Sequence, residues 1–296
     1  MNDPRLIWIT PDAEQLISDM ARVSNPRNQG QPPGKLLAYC VRNQHWSIFE
    51  MASACIEIET TRDIARQILR HRSFSYQEFS QRYATVDALP DAPMREVRLQ
   101  DHKNRQNSLE TSDEALARWW KAEQENLIDQ TEAVYHAALN RGIAKEVARS
   151  VLMEGLTTSR MYMTGTLRSW MHYCQLRTQP GTQKEHRDIA LKISAILAAQ
   201  FPQCWSALMG EQETVATPVP QVQTPKVPQV ETSAPKTGRY SFRPKEINVP
   251  EYMKELLYEV YTLTTMTHRE LAKKFKIPRS SVGRHLRAIA AERNSM

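Results

Sequence analysis

RHRSFSYQEFSQRY, residues 70–83, sets three basic side chains in a row and follows them within a dozen positions with Glu78, Ser80 and Arg82. The triplet Arg70-His71-Arg72 closes a stretch, TTRDIARQILRHR (60–72), in which Ile64, Ile68 and Leu69 recur at helical spacing. Arg62, Arg66 and Arg70 fall four apart and share one face of that helix. Alone, such a run reads as a solvated basic face. Here Phe74, Tyr76, Phe79 and Tyr83 interleave the polar residues and draw the cluster partly out of water. Arginines removed from water need anionic partners, and the lone Glu78 cannot neutralise them all. A bound phosphate or anionic cofactor is the expected remainder.

On either side of this segment the pattern changes between strand and helix. MASACIEIE (51–59) alternates small and β-branched residues as a strand does, and EVRLQ (96–100) and SRMYMTGT (159–166) read the same way. Leu109 to Arg141 is predicted as one long helix with Gly142 as its C-terminal cap. LRSWMHYCQLR (167–177) is another helix, and Gln183 to Phe201 a further one stopped by Pro202. Strands mixed with long helices indicate an α+β fold. Trp119-Trp120 is read as packing or an oligomer interface, and His136 and His186 as surface or satisfied helical histidines.

With these blocks in view, RHRSFSYQEFSQRY resembles the signature of the flavin-dependent thymidylate synthases, an R-H-R with a serine eight positions after its last arginine. Gln67, Glu78, Ser80, Arg82 and Tyr83 stand in that family's order. NQHWSIFEM (43–51) resembles its upstream block, with His45 and Ser47. EVARSVL (146–152) and TGTLRSWMHYCQLR (164–177) resemble two later blocks and supply Arg149 and Arg177. The similarity runs collinearly over roughly residues 10 to 208.

The resemblance implies that dUMP is converted to dTMP, with methylenetetrahydrofolate as one-carbon donor, FAD as hydride carrier and NADPH as reductant. It implies a flavin lined by His45, Ser47, Arg70, His71, Arg72, Glu78, Thr166, Arg168 and His172. It places Gln67, Arg70, Glu78, Ser80, Gln81, Arg82, Arg149 and Arg177 around the nucleotide. Arg82 and Arg149 suit its phosphate, because guanidinium binds phosphate bidentately. Arg177 resembles the catalytic arginine, set to stabilise negative charge on the uracil ring as it becomes a carbon nucleophile. A homotetramer is implied as well. Departures from the pattern are Met51 where some members have histidine, and Thr166 and His172 where some have asparagine. Gly181 replaces a histidine after the catalytic arginine, and Met153 a proline after the Arg149 block. His172 also reads as a packed helix histidine.

The 296 residues and 41% hydrophobic content allow a sizeable core. The opening MNDPRLIWIT is not built like a signal peptide, and no apolar run approaches a membrane span of about 20 residues. Cys40, Cys55, Cys174 and Cys204 are scattered without a CxxC pair, which argues against a zinc site or a disulfide framework and suits a reducing, cytoplasmic setting. No residue group has metal-ligand spacing, and no glycine-rich loop offers a Rossmann-type cradle. Residues 211–238 form an expected linker, EQETVATPVPQVQTPKVPQVETSAPK and its flank, with five prolines from Pro218 to Pro235. A domain over 1–210 precedes it and a small one over 239–296 follows.

In the last domain Pro250 to Leu263 is predicted helical, Thr267-His268-Arg269-Glu270 is a capping box, and Pro278 opens another helix. Thr267 to Ala290 holds seven basic residues against Glu270, an excess of six that equals the whole chain's net charge of +6. With Val282, Leu286 and Ile289 inward, Arg279, Ser280, Ser281, Arg284, His285 and Arg287 face outward. This resembles a helix-turn-helix, with double-stranded DNA as the expected partner. The bland reading is a small helical bundle whose basic face keeps it soluble, or which packs on the first domain. A different functional class is also open, a regulator that senses nucleotide or flavin and acts on DNA. The presence of Arg177 favours the enzyme, because sensing does not need it.

Overall fold

A computed structural model describes residues 2–210, together with 268–275, 282, 283 and 286. Its centre is a four-stranded sheet in the order β1-β2-β6-β3, every pair antiparallel. β1 is Arg5–Ile9, β2 Ser53–Thr61, β3 Phe74–Glu78 and β6 Thr158–Thr166. β2 and β6 pair over nine residues, which sets Ile58 opposite Met161, Ile56 opposite Met163 and Ala54 opposite Gly165. Strand side chains alternate between faces. These six residues therefore share one face, and all are buried. The other face of the same strands is polar, with Arg160 bonded to Glu59 and Arg5 to Glu57.

The apolar face is covered by helices. α3 (Arg62–Ile68) follows β2 without a gap and buries Ile64 and Ile68 as expected, with Ala65 beside them. Leu69, also expected inward, caps the helix and is half-buried against the core. α6 (Leu167–Arg177) leaves β6 equally directly. Its Trp170 is fully buried, with Nε1 donating to Ala54 O at 3.1 Å. α7 (Lys184–Gln200) and α8 (Pro202–Met209) close the layer with α1 (Ala13–Ala21) and α2 (Gly34–Arg42). Pro202 follows the end of α7 at Gln200, as expected. It sits at the first position of α8, where its missing N–H is not needed.

Two strands form a separate hairpin, β4 (Arg98–Gln100) with β5 (Ser108–Glu110). The long helix expected from Leu109 starts later, as α4 (Glu114–Asn140). Asp113 caps it by accepting from Leu116 N at 2.9 Å. Its end is as read: Gly142 has φ +81°, Ile143 N reaches back to Ala138 O, and Gly142 N to Leu139 O. A short helix, α5 (Lys145–Ala148), follows. The four cysteines are free and buried. No helix among the described residues is long and apolar enough to cross a membrane.

The chain divides into two units, Met1–Val219 and Pro220–Met296. Of the second, α9 (His268–Phe275) is described, with Leu271 buried and Lys273 and Lys274 exposed. Val282, Gly283 and Leu286 are helical and buried. The expected DNA-facing residues Arg279, Ser280, Ser281, Arg284, His285 and Arg287 lie outside the described residues, as does the helix expected over 250–263.

Candidate active site

The signature segment folds as the tight turn after α3 and an edge strand. β3 pairs with β6 so that Phe74 lies opposite Gly165, Tyr76 opposite Met163 and Glu78 opposite Met161. The Phe74 ring lies against Gly165. A Cβ there would come within 2.4 Å of the ring, so only glycine admits this approach. Tyr76 Oη lies 2.9 Å from Ile68 O and 3.0 Å from His71 O, and one shared hydrogen pins the turn from below.

The two arginines of α3 and the two on the turn after it do not act alike. Arg62 lies 3.6 Å from Glu78, whose carboxylate also accepts from Ser159 Oγ at 2.7 Å. Arg66 pairs with Glu154 at 3.1 Å. Arg70 and Arg72 are exposed on the turn and have no carboxylate partner among the described residues. The unbalanced charge therefore concentrates at the triplet.

His71 connects this turn to α6. Arg177, in the last turn of α6, donates from Nε to His71 Nε2 at 2.8 Å. The acceptor nitrogen must be unprotonated, so the proton sits on Nδ1. Burial, with Arg177 and then Arg70 adding repulsion, holds the His71 imidazolium down to about 4. The ring packs edge-on against Tyr173, centroids 4.9 Å apart.

At the opposite end of α6 the upstream block comes in. Arg168 pairs with Glu50, and His172 meets Trp46 edge-on at 4.7 Å, its pKa lowered by burial and by Arg168. His45 and Ser47 are exposed beside them on a short 3-10 turn, Trp46–Glu50. Thr166 caps α6, and Ser169 Oγ donates to Ser73 O at 3.2 Å, binding this end to the signature turn. The structure thus gathers the expected flavin residues Arg70, His71, Arg72, Thr166, Arg168 and His172, with His45 and Ser47, around one end of β3.

The residues suited to phosphate lie past the other end. Ser80, Arg82 and Tyr83 line an open pocket of about 600 Å³ with Ala144, Lys145 and Glu146. Arg82 bonds Glu146 at 2.9 Å, and Lys145 donates to Tyr83 O at 2.8 Å. Arg149 follows α5, half-buried and without a side-chain partner among the described residues. Gln81 is buried, and its Nε2 has no acceptor among the described residues. A buried donor left open is costly unless something arrives to accept from it.

Some members of the site gave no signal in the sequence. Tyr173 and His186 are both buried and bonded to each other, Oη to Nε2 at 3.1 Å, and His186 Nδ1 lies 3.3 Å from Gln67 Oε1. Gln183 and Glu185 continue the chain beyond Gln67. His186 is the satisfied histidine expected of it, but its partners include an expected nucleotide residue.

Comparison with known proteins bears on the family of the chain. A probable flavin-dependent thymidylate synthase of Paramecium bursaria Chlorella virus 1 is 52% identical over 198 residues, 66% of this chain and 90% of that protein. A flavin-dependent thymidylate synthase of Synechocystis is 48% identical over 195 residues, 66% of this chain and 89% of that one. The solved structure of a UMP/dUMP methylase from Streptomyces cacaoi, bound with 5-Br dUMP, superposes with a TM-score of 0.60. It is 27% identical and covers 69% of this chain and 93% of its own. The profile described as thymidylate synthase complementing protein matches residues 5–203. The chain belongs to the flavin-dependent thymidylate synthase family.

Of the departures from the family pattern, two fall where nothing crowds them. Met51 is exposed, and a Cβ at Gly181 would meet nothing within 4 Å. Neither alters the His71–Arg177 contact. The flavin-dependent thymidylate synthase signature is therefore intact where its charges converge.

Proposed function

We propose that this enzyme makes dTMP from dUMP, with methylenetetrahydrofolate as one-carbon donor and NADPH as reductant. The observation that carries the reading is the Arg177–His71 pair on the signature turn, flanked by two uncompensated guanidinium groups. FAD, when bound, carries the hydride. The donor set suits it: Arg70 and Arg72 offer unpaired positive charge to an anionic cofactor, with His45, Ser47, His71, Glu78, Thr166, Arg168 and His172 around it. Gln67, Arg70, Glu78, Ser80, Gln81, Arg82, Arg149 and Arg177 hold the nucleotide, and the open Gln81 donor supports that assignment. Arg177 stabilises charge developing on the uracil ring. The two sets share Arg70, ahead of β3, and Glu78, at its far end. They therefore run along the strand, about 17 Å for five residues. A homotetramer would let a second subunit complete each site.

Purified protein is expected to be yellow, to bleach with NADPH, and to yield dTMP when dUMP and methylenetetrahydrofolate are added. A colourless protein that takes up no added FAD overturns this reading. It would favour the regulator instead, in which a synthase-like domain senses nucleotide and the tail acts on DNA.

For the tail the proposal is a helix-turn-helix over 239–296, joined by the linker 211–238, that binds double-stranded DNA and adds a second role to a cytoplasmic enzyme. Its support is the concentration of the chain's whole charge excess there. In a gel shift the full chain should retard duplex DNA and a 1–210 truncation should not, with affinity falling steeply as salt rises. Equal retardation by both disproves it.

A further inference from the structure

Five hydrogen-bonded side chains run through the interior in one direction. Tyr173 Oη stands 3.1 Å from His186 Nε2, and His186 Nδ1 stands 3.3 Å from Gln67 Oε1. Gln67 Nε2 donates to Gln183 Oε1 at 2.7 Å, and Gln183 Nε2 to Glu185 Oε2 at 2.9 Å. Glu185 ends the chain, its other oxygen 2.6 Å from Arg98 and 3.3 Å from Arg95. A carboxylate flanked by two guanidiniums is acceptor-only, so it dictates the direction of everything before it. Gln183 must turn its NH2 toward Glu185 and its oxygen toward Gln67. Gln67 must then give Nε2 to Gln183 and accept at Oε1. His186 must carry its proton on Nδ1, and Tyr173 must donate to Nε2.

We propose that His186 is a positioning residue that, together with Gln183, fixes the Gln67 amide in a single orientation for the nucleotide. The inference rests on the reading above that Gln67 faces dUMP. A free amide is nearly isosteric under a half-turn, and the flipped form would offer an acceptor where the nucleotide needs a donor. With both ends held, one N–H of Gln67 stays uncommitted and its direction is set. Stability gives little reason for the arrangement, because a well-packed apolar replacement for a buried polar group is often at least as stable. His186 is fully buried, out of contact with bulk solvent. It also carries the Tyr173 ring that walls His71.

Two substitutions separate the two nitrogens. His186→Asn keeps a donor near the Nδ1 position, and His186→Gln keeps an acceptor near Nε2 but loses the donor to Gln67. Calorimetric titration of dUMP into the flavin-loaded full chain should show His186→Gln binding about tenfold more weakly, the worth of one hydrogen bond. His186→Asn should stay within about threefold of the parent. In turnover the loss should appear in KM for dUMP more than in kcat. Equal weakening by the two variants, or none in His186→Gln, overturns the proposal. Should the core variants fail to fold, Gln183→Leu cuts the same chain at a half-buried position, and unchanged dUMP affinity there is equally fatal. A parent protein that binds neither FAD nor dUMP sinks the site reading and this inference together. A parent that binds both, with unaffected variants, sinks only the inference.

Discussion

Replacing Arg177 with alanine lowers dTMP formation by on the order of 10²- to 10³-fold, the usual cost of deleting a preorganised donor aimed at developing charge. Binding of dUMP should weaken far less, because the contacts proposed for Gln67, Ser80, Arg82 and Arg149 remain. The split follows from geometry. Arg177 Nε is spent on His71 at 2.8 Å, which sets the guanidinium plane and leaves its two terminal nitrogens for the ring. Removing it also lifts one of the charges that hold the His71 imidazolium down, so that pKa should rise. Single-turnover assays with saturating dUMP measure the chemical loss, and titration measures the binding. Turnover that survived the change would remove Arg177 from the chemistry.

The second large effect is on the fold itself. Trp170 is fully buried, donates to Ala54 O, and packs edge-on to Phe74 at 4.7 Å and to Tyr173 at 5.9 Å. Trp170→Ala should cost about 3–5 kcal/mol through the cavity and the lost contacts. In thermal unfolding that corresponds to a fall in Tm of roughly 10 °C. Phe74 and Tyr173 both lean on this indole, so the signature turn and the wall behind His71 should loosen with it. Trp170→Phe retains most of the volume and should lose less than half as much. A Trp170→Ala protein that melts within a degree or two of the parent would contradict the packing described.

Much of this was legible in the residues. Strands 53–61 and 158–166 and helices 62–68 and 167–177 lie where alternation and helical spacing predict them, because each buries one face against the same core. β1 went unread, since five residues held on one side by β2 carry too short a pattern. β3 had a signal that the polar cluster obscured: Phe74, Tyr76 and Glu78 alternate with Ser75 and Gln77. Pro202 reads as a stop from either side, and only α8 reveals it as a start. In the site, single residues were legible but their pairings were not. His71 and Arg177 are 106 positions apart, and Gln67 and His186 are 119 apart. No local spacing predicts such a contact, and only packing the helices together on one face of the sheet makes it.

The cysteines carry one last consequence. All four are buried, and burial pushes the thiols of Cys40, Cys174 and Cys204 up and away from ionisation. A methylase that attacks uracil with a thiolate is open to electrophilic poisons. This fold offers such compounds no nucleophile while it stays closed. Alkylation of these sulfurs would report how often the core breathes rather than whether the substrate site is filled.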